Sequence, residues 1–171
     1  MSDIQDIVNN LDEVTDEAYD QYLTFILSGE EFAIDILRVQ EIKSWDKVTN
    51  LPGSPDYVEG VINLRGTIVP IINLRRRFKL AEIKFDFTTV IIVLKVFGEE
   101  HDRTMGLIVD AVSDVHDLQS GSIRPAPEMK GTIESRFVMG LTTINDKMVI
   151  VMDVDALMNS GELALEEEEE L

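Results

Sequence analysis

The chain has 171 residues, no cysteine and a formal net charge of −18 at pH 7. This length accommodates one domain or two small ones, and the lack of cysteine excludes a disulfide framework and thiolate metal sites. Residues 1–37 hold ten acids and residues 153–171 hold eight, both without lysine or arginine, so the body between them has 15 acids and 15 bases. Acidic ends of this kind disfavour nucleic acid and anionic membranes but say little about the partners of the body.

The first segment combines acidic residues with apolar ones at helical spacing, so residues 1–20 are predicted to form an acidic tail or a short amphipathic helix. The apolar positions are Ile4, Ile7, Val8, Leu11 and Val14. An acidic start is not typical of a signal peptide, and the longest apolar run, residues 90–94, is too short to span a bilayer. We therefore expect no membrane insertion, and the lack of cysteine favours a reducing, cytoplasmic location.

A β-hairpin is predicted over residues 60–74, which read GVINLRGTIVPIINL. The flanking residues are β-branched and apolar at nearly every position, which indicates strands covered on both faces. Asn63 suits the first position of a type I turn and Gly66 its last, which would place Leu64 and Arg65 at the tip. Upstream, residues 22–42 read as two strands around a Gly-Glu turn, followed by a short segment that contains Val39 and Glu41.

The same pattern returns 80 residues later, where residues 140–154 read GLTTINDKMVIVMDV and Asn145-Asp146 supplies a tight turn. A second Gly-Glu turn begins at Gly98, and an inserted loop is predicted over residues 99–104. We therefore predict a mainly β chain with two similar small SH3-like barrels, residues 21–80 and 81–158, packed together because each alone is marginally stable. The second barrel is expected to end in a C-terminal helix, and residues 159–171 are expected to form an acidic tail.

Residues suited to catalysis are scarce. His101 and His116 lack metal-ligand spacing, and the acids around Asp114 lack the glycine and the spacing of a calcium loop. No phosphate-binding or dinucleotide-binding glycine motif is present, so we expect no enzymatic activity, no cofactor and no metal site. The basic run at residues 75–79 leaves nucleic-acid binding open as an alternative, but without a ladder of aromatic residues beside it. A two-barrel interaction module is favoured.

Four strings resemble the CheW-like domain family of bacterial chemotaxis coupling proteins. They are ILRVQEI at residues 36–42, LPGSPDYVEGVINLRGTIVPIINLR at residues 51–75, GLIVDAVSDV at residues 106–115 and IRPAPE at residues 123–128. The resemblance runs from about residue 22 to residue 159 and implies two barrel subdomains. It also implies a non-enzymatic adaptor that links the cytoplasmic tips of methyl-accepting chemotaxis receptors to the regulatory domain of the histidine kinase CheA in membrane-associated arrays.

The resemblance implies that partner-binding surfaces contain eight positions. These are Val39, Glu41, Gly60, Arg65, Val112, Val115, Arg124 and Glu128. It places Val112 and Val115 in an inter-barrel groove for a receptor helix, and Arg124 and Glu128 at a second kinase contact. A coupler for a non-flagellar chemosensory pathway is an alternative with the same fold. The position after the first hairpin, often aspartate in the family, is Asn73 here, so no charge-based role is expected there.

Overall fold

The computed structural model describes residues 19–98, 101–127 and 133–159. The predicted N-terminal tail or helix up to residue 18, the predicted C-terminal tail from residue 160 and Glu128 lie outside the described residues. The strands are β1 Tyr19–Leu27, β2 Glu30–Asp35, β3 Val39–Ser44, β4 Val58–Leu64, β5 Thr67–Asn73, β6 Val90–Phe97, β7 Asp102–Val109, β8 Ala111–Gln119, β9 Val138–Ile144 and β10 Lys147–Met152. The α-helices are α1 Leu74–Arg77 and α2 Val154–Met158, and 3-10 turns span Ile36–Arg38, Ser120–Ser122 and Ser135–Phe137.

The strands form two five-stranded sheets, ordered β8-β1-β2-β10-β9 and β3-β6-β7-β5-β4. We call them the β1 barrel and the β6 barrel after the strand second in each order. The predicted fold class, mainly β with two similar small SH3-like barrels packed together and short helices, is confirmed. The helix predicted after the second hairpin is also present, as α2, where the Asp153 side chain caps the first turn by accepting from Ala156 N at 3.0 Å.

Each barrel takes strands from both halves of the chain. We call β1–β5 with α1 the first repeat and β6–β10 with α2 the second repeat. The β1 barrel contains two strands of the first repeat and three of the second, and the β6 barrel contains the reverse. The division predicted between residues 80 and 81 therefore does not describe the barrels. A strand's apolar pattern specifies its buried faces but not which of two similar strands lies beside it.

The duplication inferred from the sequence is visible in the strand pairing. The second strand of each repeat pairs in parallel with the fifth strand of the other, β2 with β10 and β7 with β5. The first strand of each pairs antiparallel with the third strand of the other, and both of these pairs contain a bulge, between Val39 and Glu41 in one and between Leu23 and Phe25 in the other. The two repeats thus exchange strands, and pseudo-twofold symmetry relates one repeat to the other.

A glycine closes each barrel where two backbones meet. Thr49 and Val61 exchange two hydrogen bonds of 2.9 and 2.8 Å, and Arg124 and Leu141 exchange two of 2.8 Å. A Cβ added at the preceding Gly60 would lie 2.3 Å from the Thr49 carbonyl oxygen, and at the equivalent Gly140 2.4 Å from that of Arg124. Both distances are far below van der Waals contact, so a side chain at either glycine would prevent the close approach of the two backbones.

Three apolar clusters fill the part of the molecule that the structure describes. One lies inside the β6 barrel around Val69, Ile71 and Val93, and another lies inside the β1 barrel. The largest lies between the barrels and draws Phe25 and Phe32 from the first repeat and Phe137 from the second, among others. We call it the central cluster. Because strands alternate their side chains between two faces, each inner strand contributes to the central cluster on one face and to a barrel interior on the other.

The predicted loop over residues 99–104 is shorter than expected. Asp102, Arg103 and Thr104 belong to β7, where they pair with the last three residues of β6. They belong to an insertion relative to the first repeat, which suggested a loop, but the contacts explain their place in the strand. Arg103 Nη2 donates to Met158 O and to Asn159 Oδ1, both at 2.8 Å, so that the start of β7 holds the end of α2.

Gly60→Ala and Gly140→Ala are each expected to lower the free energy of unfolding by about 1–3 kcal/mol, because the added methyl group overpacks the closure of a barrel. Gly121→Ala is the matched control, since a Cβ there meets nothing within 4 Å. Urea denaturation followed by fluorescence of Trp45 measures all three variants. Equal stabilities for Gly60→Ala and Gly121→Ala would show that the closure tolerates a side chain.

Candidate protein-binding site

The tip of the first hairpin is a two-residue turn. Leu64 pairs with Thr67, so only Arg65 and Gly66 form the turn, with φ of +50° and +88°. Two consecutive residues with positive φ define a type I′ turn, whose twist matches that of the flanking strands. The predicted type I turn was therefore wrong. Asn63 still stabilises the tip, because its Oδ1 accepts a hydrogen bond from Gly66 N at 2.8 Å.

The second hairpin has the same turn. Asn145 and Asp146 have φ of +51° and +63°, and Ile144 pairs with Lys147. The tight turn predicted there is confirmed. Asparagine and aspartate adopt this left-handed backbone with little strain, whereas an arginine at the same position does so at a cost of about 1 kcal/mol. Arg65 is thus held in a left-handed backbone conformation that arginine does not favour.

Arg65 forms an ion pair with Glu41, with Arg65 Nη2 2.9 Å from Glu41 Oε2. Glu41 pairs with Val93, which lies in the interior cluster of the β6 barrel, so the Glu41 side chain lies on the interior face of β3. The Glu41 side chain is 25% exposed and that of Arg65 is 75% exposed. Such an exposed pair contributes about 0.2–1 kcal/mol to stability, so the guanidinium stays accessible to a partner at little cost.

Val39, Val112 and Val115 lie on strand faces that point toward the central cluster. Val112 pairs with Phe25 and Val115 with Leu23, and both partners belong to the cluster. Val112 is half-buried against it, whereas Val115 lies at its margin and is 43% exposed. The structure therefore brings these two valines to one face beside the junction of the barrels.

Ile42 is a candidate that the sequence analysis missed. It pairs with Ile92 of the central cluster and is 44% exposed, which matches the position and exposure of Val115 in the other barrel. The repeat contained the signal, since Val39-x-Glu41-Ile42 aligns with Val112-x-Asp114-Val115. Val39 and Ile42 on one side, and Val112 and Val115 on the other, are thus equivalent apolar pairs at the edge of the central cluster.

Arg124 lies apart from these pairs. Its backbone closes the β1 barrel, and its exposed side chain borders a shallow cavity of about 530 Å³ that also contacts Leu141 and Met148. Met148 is 60% exposed, so this surface is partly apolar. The structure does not bring Arg124 together with the tip of the first hairpin, which belongs to the other barrel. Gly60 is buried in the closure of the β6 barrel, so it supports the hairpin rather than presenting a contact of its own.

The three arginines of the basic run that left nucleic-acid binding open are engaged within the protein. Arg75 pairs with Asp110, Arg76 with Glu59 and Glu82, and Arg77 stacks over the rings of Tyr57 and Phe137. Asn73, at the position after the hairpin, caps α1 by accepting a hydrogen bond from Arg76 N. These contacts hold the three arginine side chains against the protein, and Lys79, the last base of the run, is exposed.

Metal-binding clusters and membrane-spanning helices are not found in the part of the chain that the structure describes. No three acidic or histidine side chains within residues 19–98, 101–127 and 133–159 are grouped so that they could hold a metal ion. None of the described helices has the length and apolar character needed to cross a bilayer. Paired hairpins, exposed charges on rigid turns and apolar edges between two barrels define a protein-interaction module.

The comparisons with known proteins identify the family. A family model described as CheW-like domain matches residues 21–162. The chemotaxis protein CheW of Klebsiella aerogenes is 46% identical over 145 residues, which cover 85% of each chain, and that of Bacillus subtilis is 31% identical over 140 residues, which cover 82% of this chain and 87% of the relative. The solved scaffolding protein TtCheW from Thermoanaerobacter tengcongensis matches with a TM-score of 0.75 and 34% identity, covering 84% of this chain and 90% of that one.

The chain belongs to the CheW-like domain family. The resemblance seen in the sequence is therefore confirmed. Members of this family are non-enzymatic scaffold proteins, in agreement with the sequence-based expectation of no catalytic activity.

Arg65→Asn is expected to raise the free energy of unfolding by up to about 1 kcal/mol, because the relief of left-handed strain exceeds the loss of an exposed ion pair. Asn145→Arg, the reverse change in the equivalent turn, is expected to lower it by a similar amount. Chemical denaturation of both variants measures the effect. A destabilised Arg65→Asn variant would show that the pair with Glu41 outweighs the backbone strain.

Proposed function

We propose that this chain is a non-enzymatic adaptor of chemotaxis signal transduction. In this proposal it couples the cytoplasmic tips of chemoreceptors to the histidine kinase CheA and helps to build receptor-kinase arrays at the inner face of the membrane. Membership of the CheW-like domain family supports the class of function. The observation that carries the assignment of a surface is the exposed Arg65 guanidinium, held by a rigid turn above the end of the β6 barrel and oriented by Glu41.

The kinase contact is assigned to the hairpin tip and the adjoining strand. Ile68, which follows the tip and pairs with Asn63, is 61% exposed. An exposed aliphatic side chain beside an exposed cation has the composition of an interface with an apolar centre and a charged rim. The rim charge would tune orientation and association rate, because electrostatic complementarity steers encounter more than it adds affinity. Arg124, on the β1 barrel, and Glu128 are assigned to a separate second contact.

The receptor contact is assigned to the apolar edge between the barrels. Val112 and Val115 are spaced along one face of β8, and Val39 and Ile42 occupy the equivalent positions on β3. A receptor helix with apolar side chains one turn apart would pack its stripe against such an edge. The interface then needs no chemistry, only a preformed surface that two stable barrels hold in place.

Arg65→Glu is expected to weaken binding of the CheA regulatory domain at least about tenfold, or about 1.4 kcal/mol, because the reversed charge repels Glu41 and no longer complements the partner. Asn145→Glu, at the equivalent tip of the other hairpin, is the matched control and is expected to bind normally. Isothermal titration at two salt concentrations measures affinity and its electrostatic part. Unchanged affinity for Arg65→Glu would remove the hairpin tip from the kinase contact.

Val115→Asp is expected to reduce binding to a receptor cytoplasmic fragment at least about tenfold while the free energy of unfolding changes little, because the side chain is largely exposed and its apolar contact is made only in the complex. Ser113→Asp places the same charge on the same strand, also at an exposed position, and serves as the control. Co-sedimentation with the receptor fragment and urea denaturation separate binding from folding. Equal binding by both variants would contradict the assignment of this edge.

A further inference from the structure

Two bidentate ion pairs join the first repeat to the second. Arg38, in the connection between β2 and β3, donates to both carboxylate oxygens of Asp155 in α2, at 2.6 and 2.5 Å. Arg75, in α1, donates to both oxygens of Asp110, in the connection between β7 and β8, at 2.9 and 2.6 Å. In each pair the cation belongs to the first repeat and the anion to the second.

The two pairs occupy equivalent places in the duplicated fold, but with opposite polarity. Arg75 and Asp155 are the second residues of the helices that follow the two hairpins, 80 positions apart. Arg38 and Asp110 lie in the equivalent connections between the second and third strands of the repeats. The helix residue is therefore the cation in one pair and the anion in the other.

Both pairs are sheltered from solvent. The side chains of Arg75 and Asp110 are 10% and 19% exposed, and those of Arg38 and Asp155 are 20% and 28% exposed. The hydrogen bonds to their carboxylate partners raise the pKa of both guanidinium groups. The carboxylates also hold the backbone, since Ser28 N donates to Asp110 and Phe97 N donates to Asp155, each at 2.8 Å.

An exchanged fold faces a choice of partner. The two strands that one repeat contributes to a barrel need three strands from another repeat. A like repeat from a second chain has the same architecture and is therefore an alternative source of these three strands. Exchange between two first repeats would place Arg38 against Arg75. Exchange between two second repeats would place Asp110 against Asp155. Both arrangements oppose like charges at sheltered positions, where repulsion is strong and one partner's hydrogen bonds are lost.

We propose that these two oppositely oriented ion pairs select the unlike repeat as the strand-exchange partner and exclude exchange between like repeats of two copies of this chain. The short connection between α1 and β6, residues 78–89, then makes the unlike repeat of the same chain the favoured partner, because it acts at a high effective concentration. The pairs thereby keep the module a closed monomer with one defined arrangement of its binding surfaces. This inference concerns assembly and is independent of the proposed function.

The test uses two double variants with the same net charge. Within one chain, R75D/D155R opposes two cations in one pair and two anions in the other. Exchange between like repeats of two chains would instead bring opposite charges together in both pairs. R38D/D155R removes the Asp155 acceptor for Phe97 N, as R75D/D155R does, but it restores an opposite-charge pair within the chain. R75D/D155R is expected to have a lower urea midpoint than R38D/D155R and, refolded at high concentration, the molar mass of two chains by light scattering. R38D/D155R is expected to stay monomeric.

Equal midpoints and equal masses for the two variants would overturn the proposal, because they differ only in which arginine is reversed. If R75D/D155R does not fold, R75D/D110R serves as the second control, since it restores the other pair within the chain. Folding of R75D/D110R and R38D/D155R, with failure of R75D/D155R alone, supports selection by charge. Failure of all three would show that the carboxylates act only through the backbone amides that they hold, and would also overturn the proposal.

Discussion

The three strands that complete each barrel come from the opposite repeat, so neither barrel closes until both repeats have folded against the same central cluster. Phe25 and Phe32 stack with ring centroids 5.5 Å apart inside this cluster, and Phe137 arrives from the far end of the chain. Burial of this apolar surface is the main favourable term for a fold of this size. The relative placement of the barrels, and with it the distance between the hairpin tip and the apolar edge, follows from the same burial.

The exchange also determines which faces of the strands are buried. The inner strands bury side chains in a barrel interior and in the central cluster, and at Gly60 and Gly140 a neighbouring backbone leaves no room for a Cβ. What remains available for recognition is the turns and the edge strands, among them β3 and β8. Arg65, Val115 and Ile42 all lie at such positions, where a side chain can change its partners without disturbing a core.

Comparison of the repeats separates architecture from what is specific to each copy. Features that recur, such as the closing glycines, the type I′ turns and the bulges in the β1–β8 and β3–β6 pairs, are required by the fold. Features that differ between the repeats are not required by the fold. Arg65 occupies the place of Asn145 despite its strain, and the acid and base of the two ion pairs exchange places between Arg75 and Asp155. These departures from symmetry are where an asymmetric partner or an asymmetric assembly is specified.

The sequence by itself determined the strands, the duplication, the hairpins and the family, because alternating apolar residues and turn residues act over short distances along the chain. It also led to Val39, Glu41, Arg65, Val112 and Val115, which the structure places on the barrel end or the inter-barrel edge. It did not determine which repeat supplies the partners of β2 and β7, since two similar repeats present similar strand edges. Only the tertiary structure decided that exchange, the engagement of the arginine run with Asp110, Glu59 and Glu82, and the equivalence of Ile42 with Val115, because each depends on contacts between residues far apart in the chain.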